Sequence, residues 1–145
     1  MSSTADPAPT RASPLPTLLT LLVVDDDDFL RETLGSMLRH AGYAVVLAAN
    51  AEDAWARFQS APDLFAGLVS DIVMPGQRGD ALAAQILTQR SDLPVVLITG
   101  HPLETVSVPP GAKPNQIWVL RKPFRIGDLL KVLPAPQEQS AITHG

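Results

Sequence analysis

The 145-residue sequence predicts an α/β fold, a doubly wound five-stranded parallel sheet with helices on both faces. Three observations carry that expectation. Short continuous apolar runs recur along the chain, as strands buried on both faces require. Amphipathic segments with apolar residues at helical spacing alternate with those runs. Polar residues gather just past the ends of the runs, where sheets of this kind place their ligand sites.

The elements follow in order. Residues Met1 to Thr17 are mainly Ser, Thr, Ala and Pro and are read as a disordered tail, with one domain spanning 18–133. Leu18 to Val24 is the first strand. Asp27 or Asp28 caps a helix over Phe29 to His40, whose apolar set is Phe29, Leu30, Leu34, Met37 and Leu38. His40 suits the negative end of the helix dipole, and Gly42 stops the helix. Ala44 to Leu47 is the second strand. Asn50 caps a helix over Ala51 to about Gln59, in which Trp55 and Phe58 are packing residues.

Phe65 to Ser70 is the third strand, and a helix runs from Gly79 or Asp80 to about Arg90. Gly76 and Gly79 read as permissive turn residues. Pro94 to Ile98 and Gln116 to Leu120 are the fourth and fifth strands. Between them Pro102, Pro109, Pro110, Gly111 and Pro114 leave room only for an irregular fourth helix of a turn or two around Leu103 to Val106. Ile126 to Leu133 is the last helix, ended by Pro134, and 134–145 form a second polar tail. The expected strand order is 2-1-3-4-5, with right-handed crossovers.

Composition narrows the function. A formal net charge of -4 argues against direct nucleic-acid binding through a basic surface. The absence of cysteine excludes disulfides, thiolate zinc sites and a cysteine nucleophile. No apolar run is long enough to span a membrane. Leu18 to Val24 lacks a preceding basic stretch and runs straight into four aspartates, unlike a signal peptide. The expectation is a cytoplasmic protein with no membrane partner.

The chemistry gathers at four strand ends. Asp25 and Asp26 follow the first strand, Asp71 the third and Thr99 the fourth; Arg121, Lys122 and Pro123 follow the fifth. In the order 2-1-3-4-5 these converge on one edge. Crowded carboxylates repel one another and call for a cation. A hard divalent ion with oxygen ligands, such as Mg²⁺, suits them. A carboxylate beside such an ion can attack phosphorus and form an acyl phosphate, with a lysine balancing the product charge.

The same segments resemble the receiver domains of two-component response regulators. They are Val23-Val24-Asp25-Asp26, Ser70-Asp71-Ile72-Val73-Met74-Pro75-Gly76 with Gly79, Ile98-Thr99-Gly100 and Lys122-Pro123-Phe124, in the family's order over roughly 19–133. The resemblance implies a flavodoxin-like receiver fold and a switch operated by phosphorylation. It assigns Asp71 as phosphoacceptor, Asp26 as the main acidic metal ligand, and Asp25 as its neighbour acting through water. The backbone carbonyl of Val73 completes the protein's share of a Mg²⁺ shell. Thr99 and Lys122 are the hydroxyl and ammonium that meet the phosphoryl group, and the Lys122-Pro123 peptide is expected to be cis.

The implied partners are a histidine kinase or phosphotransfer protein and a downstream protein target. Catalysis is limited to the domain's own phosphorylation and dephosphorylation. The Met-Pro-Gly turn, the Thr-Gly-His stretch and the Leu-Arg-Lys-Pro-Phe ending are similar to receivers associated with hybrid histidine kinases. That likeness, and the lack of an output domain after residue 133, suggest a phosphorelay or feedback role.

The sequence also departs from the family. Val119 stands where an aromatic switch residue is usual, three positions before Lys122, with Trp118 beside it as a candidate exposed partner contact. Val73 and His101 lie two positions after Asp71 and Thr99. The apolar Val73 cannot orient an attacking water, which predicts slow self-dephosphorylation. Two other functions stay open. One is a receiver-like binding module that does not use phosphate. The other is a haloacid-dehalogenase-type phosphohydrolase built on Asp25-Asp26-Asp27, although Phe29 stands where that motif needs Thr or Val.

Overall fold

Each apolar run becomes a strand, and each amphipathic segment among residues 18–100, 113 and 116–136, those described by this computed structural model, becomes a helix. The order is β1 (Thr20–Val24), α1 (Asp28–His40), β2 (Ala44–Ala48), α2 (Ala51–Ser60), β3 (Phe65–Asp71), α3 (Gly79–Leu87), β4 (Val95–Thr99), β5 (Ile117–Arg121) and α4 (Ile126–Val132). The strands form one sheet in the order β2-β1-β3-β4-β5, and every pairing is parallel. Fold class and strand order agree with the sequence expectation. The expected fourth helix around 103–106, the N-terminal tail and His101 lie outside the described residues, as do residues 137–145 of the C-terminal tail.

Alternation along the strands splits the core into two layers. Leu22, Val24, Leu68, Val95 and Leu97 face Phe58 of α2 and Leu82 and Ile86 of α3. Leu21, Val23, Val69, Val96 and Ile98 face Leu38 of α1 and Leu129 of α4. Burying each such Leu, Val or Phe side chain contributes about 1.5–3 kcal/mol before conformational entropy is charged against it. Trp55 stacks on Phe58, and Phe58 on Phe65, with ring centroids 5.8 and 6.1 Å apart.

Helix ends follow the side-chain chemistry. Asp27, not Asp28, caps α1: its carboxylate accepts from the Leu30 N–H at 3.0 Å. Asn50 caps α2 by accepting from the Asp53 N–H at 2.7 Å. Gly42, past the end of α1, adopts φ 110°, which favours glycine. Helix α3 stops at Leu87 rather than near Arg90. The Arg90 guanidinium instead donates to the carbonyls of Pro62 (2.8 Å) and Phe65 (3.0 Å), tying the chain back to the start of β3. After α4, the Pro134 carbonyl accepts a hydrogen bond from the buried Tyr43 hydroxyl.

Two packing expectations are corrected. Phe29 is 75% exposed, and Leu30 and Met37 are also exposed. The face of α1 that meets the sheet is instead built from Leu34, Gly35 and Leu38. Trp118 is half-buried and packs against the layer beneath α1 and α4, so it is not an exposed marker of a partner surface. Its neighbour Val119 points the other way and is exposed. No helix among the described residues is long and apolar enough to cross a membrane.

Candidate functional site

The carboxyl edge of the sheet brings together the residues that the sequence singles out. Asp25 leaves the end of β1 still tied to β2, its N–H donating to the Ala48 carbonyl at 3.2 Å. Its Oδ1 accepts from the Asp27 N–H at 2.9 Å, and its carbonyl accepts from Arg31 Nη1 at 2.8 Å. Asp25 is buried, whereas Asp26 next to it is exposed. Asp71 is the last residue of β3 and pairs in register with Ile98 of β4. One carboxylate oxygen from each of Asp25, Asp26 and Asp71 lies within 4.8 Å of the others.

Lys122 reaches this cluster from the end of β5. Its Nζ lies 3.5 Å from Asp71 Oδ1 and 4.0 Å from Asp25 Oδ2. Its backbone N–H donates to the Thr99 carbonyl at 2.8 Å, which fixes the start of the β5–α4 loop against the end of β4. The Lys122-Pro123 peptide is cis, as expected. Thr99 is buried at the end of β4, one residue beyond the partner of Asp71 in the ladder. Val73 sits in the β3–α3 loop with its side chain exposed, while Ile72 and Met74 on either side are buried and anchor the loop.

Gly79 has a different role from the one its sequence context suggests. Its backbone is not in the left-handed region; its neighbours leave no room for a side chain. A Cβ there would lie 2.0 Å from the Asp71 carbonyl oxygen and 2.8 Å from Ser70 Oγ. The Gly79 N–H donates to the Ile72 carbonyl at 2.8 Å, so the start of α3 lies directly against the end of β3. Gly76, with φ 83°, is the residue that needs glycine for its turn.

Two charged residues near the edge escape the sequence reading. Asp80 is buried in the first turn of α3 and pairs with Arg78 at 3.1 Å. Arg31 lies on the inner face of α1. Hydrophobicity patterns register neither, because both place charge where an apolar residue is the norm.

The electrostatics suit a cation. Burial pushes the Asp71 carboxyl up to about 6, against the lowering effect of the Lys122 ammonium, and repulsion from Asp25 adds to the rise. Burial also raises Asp25, opposed by the Asp27 N–H and by Lys122. Three carboxylates thus face one ammonium, and every donor is a hard oxygen. That donor set fits Mg²⁺ or a similar ion better than a soft metal. Beside Lys122 a groove of about 500 Å³ opens between α1 and the β5–α4 loop, lined by Leu30, Leu34, Met37, Phe124 and Ile126.

Comparison with known proteins agrees with this fold. The family model for the response regulator receiver domain matches residues 21–134. The response regulator receiver protein CpdR of Brucella abortus is 36% identical over 110 residues, covering 76% of this chain and 89% of that protein. Other curated relatives are longer transcriptional regulators, of which this chain spans 57% in one case and 25% in another. Among solved structures, the response regulator TrrA of Thermotoga maritima in complex with Mg²⁺-BeF superposes with a TM-score of 0.67 at 28% identity, over 78% of this chain and 94% of that one. The receiver domain of the hybrid histidine kinase CckA gives a TM-score of 0.64 at 28% identity, over 77% and 93%.

Proposed function

The chain belongs to the response regulator receiver domain family, and from that premise we propose that it is a phosphorylation-switched module in which Asp71 accepts a phosphoryl group from a histidine kinase or phosphotransfer protein. Receiver domains are signalling modules, and the chemistry proposed here is confined to the domain's own acceptor. The observation that carries the reading is the setting of Asp71. Its carboxylate stands at the end of β3 within 4.8 Å of the Asp25 and Asp26 oxygens, with the Lys122 ammonium at 3.5 Å.

In this reading an Asp71 oxygen attacks phosphorus as the bond to the donor's imidazole nitrogen, or to a carboxylate oxygen in a small acyl phosphate, breaks. The leaving group departs with the electron pair. Asp26, Asp71 and the Val73 carbonyl would hold Mg²⁺, with Asp25 acting through water. When bound, the ion supplies positive charge to the phosphoryl oxygens. Lys122 turns from its ion pair with Asp71 to the phosphoryl group, and the Thr99 hydroxyl donates to a phosphoryl oxygen. That recruitment biases the adjoining loops toward a downstream protein target. With Val119 exposed on β5, no aromatic side chain at that position takes part in the switch. The same reading places the protein in the cytoplasm, in a relay or feedback role, with no direct contact to nucleic acid.

The phosphohydrolase alternative loses its second aspartate, because the Asp27 carboxylate is engaged as the α1 cap. The deciding experiment incubates the protein and Asp71→Asn with Mg²⁺ and acetyl phosphate. An acid-stable, base-labile phosphoprotein should form on the wild type only. Mg²⁺ binding without labelling of either protein would favour a binding module independent of phosphate.

The lifetime of the acyl phosphate gives a second expected result. Val73 lies two residues after the acceptor and is exposed, so a side-chain amide there would be free to orient a water toward the phosphoryl group. Val73→Asn should speed loss of the label by roughly tenfold, about 1.4 kcal/mol of barrier. An unchanged decay in a single-turnover assay would show that this side chain does not control the water.

A further inference from the structure

Arg31 occupies a position where an apolar residue is expected. On α1, residues 31, 35 and 38 share one face at i, i+4 and i+7. Gly35 and Leu38 on that face are buried, and a Cβ on Gly35 would lie 3.0 Å from Leu47 Cδ2. Arg31 is the member of this face nearest the carboxyl edge, and its side chain is only 13% exposed. A guanidinium withdrawn this far from water needs partners that compensate its desolvation.

Its two partners differ in kind. Nη2 donates to Asp28 Oδ1 at 2.6 Å, but the Asp28 side chain is 87% exposed. An ion pair with so exposed a partner stabilises little and does not explain burying the arginine. Nη1 donates to the Asp25 carbonyl oxygen at 2.8 Å. That carbonyl belongs to the peptide joining Asp25 to Asp26, the point at which the chain leaves β1. Its orientation sets the direction in which Asp26 departs from the strand. The other polar groups of Asp25 are held as well, its N–H by Ala48 and its Oδ1 by the Asp27 N–H. The guanidinium adds the hold on the Asp25 carbonyl.

We propose that Arg31 is a positioning residue for the carboxylate cluster: it locks the Asp25-Asp26 peptide so that both carboxylates face Asp71. The inference rests on the reading of that cluster as a divalent-cation site. It makes a prediction opposite in sign to a simple charge effect. A cation near three carboxylates weakens binding of a second cation, so removing Arg31 for its charge alone would tighten Mg²⁺. Removing it as a positioner loosens Mg²⁺, since partners that orient metal ligands are commonly worth 10–100-fold in affinity.

The test is a Mg²⁺ titration by calorimetry of the wild type, Arg31→Ala, Arg31→Gln and Arg31→Lys, with amide hydrogen exchange on the metal-free proteins. The Ala and Gln variants should bind Mg²⁺ on the order of tenfold more weakly. Their Asp27 N–H should exchange faster while the amides of β3 and β4 stay protected. Arg31→Lys, which keeps a donor for the Asp25 carbonyl, should recover most of the affinity. Equal or tighter binding with unchanged exchange at Asp27 would overturn the proposal. A wild type that binds no Mg²⁺ would defeat the cation-site reading, and the exchange data would then decide the role of Arg31 alone. If Arg31→Ala does not fold, the Gln and Lys variants carry the comparison.

Discussion

Gly79→Ala is expected to destabilise the protein by about 3 kcal/mol and to slow phosphorylation of Asp71 by roughly 100-fold. The added Cβ would stand 2.0 Å from the Asp71 carbonyl oxygen, a separation no relaxation of a side chain can relieve, because the obstacle is backbone. Either α3 retreats or the end of β3 moves. Retreat breaks the bond from the Gly79 N–H to the Ile72 carbonyl and loosens Leu82, Ala83 and Ile86 from the core. Movement of β3 displaces the proposed acceptor itself. Urea unfolding and the acetyl-phosphate labelling rate report the two effects separately. Gly76→Ala is the control. Its site has φ 83° but nothing within 4 Å of a new Cβ, so it should cost about 1 kcal/mol of backbone strain and leave the labelling rate nearly unchanged. Equal effects at the two glycines would show that the close approach at Gly79 does not hold Asp71 in place.

The contrast between those glycines shows how far the sequence is legible. Both look alike in a turn-rich stretch, and only the fold tells a left-handed turn residue from a contact between a helix start and a strand end eight residues earlier. β1 and β4 were legible because they are buried on both faces, so that continuous apolar runs such as Leu21 to Val24 mark them, whereas the edge strands β2 and β5 are only partly buried. The polar strand ends were legible for the same reason: once the runs are strands in the order 2-1-3-4-5, their termini share an edge. Helix α1 was less so. Its apolar residues at 29, 30 and 37 suggest a core face, yet they stand exposed, Leu30 and Met37 along the groove beside Lys122. The face that meets the sheet carries Gly35 and, toward the edge, Arg31, which pattern analysis scores as gaps. The one available signal was an arginine four and seven residues before two buried positions.

Metal-free stability and Mg²⁺ affinity should depend on pH in opposite senses, and both should respond to Asp71. With its carboxyl at about 6 in the folded state and near 3.8 unfolded, Asp71 is more readily protonated when folded. The folded state therefore holds more protons between those values, and stability of the metal-free protein falls as pH rises through that window. That contribution is present below the unfolded value and lost above 6. Asp25, also raised by burial, adds to the same trend. Mg²⁺ requires the ionised carboxylates, so its affinity should run the other way, weakening by up to about tenfold per unit as pH drops below 6. Calorimetry in buffers of different ionisation enthalpy should show proton release on Mg²⁺ binding near pH 5.5 and almost none at pH 8. Asp71→Asn should flatten the metal-free stability profile and make the metal-free protein more stable than wild type at pH 7, since the buried charge is gone. A Mg²⁺ affinity that stays constant from pH 5 to 7 would mean that the ion does not engage the buried carboxylates, and would move the cation toward the exposed Asp26 alone.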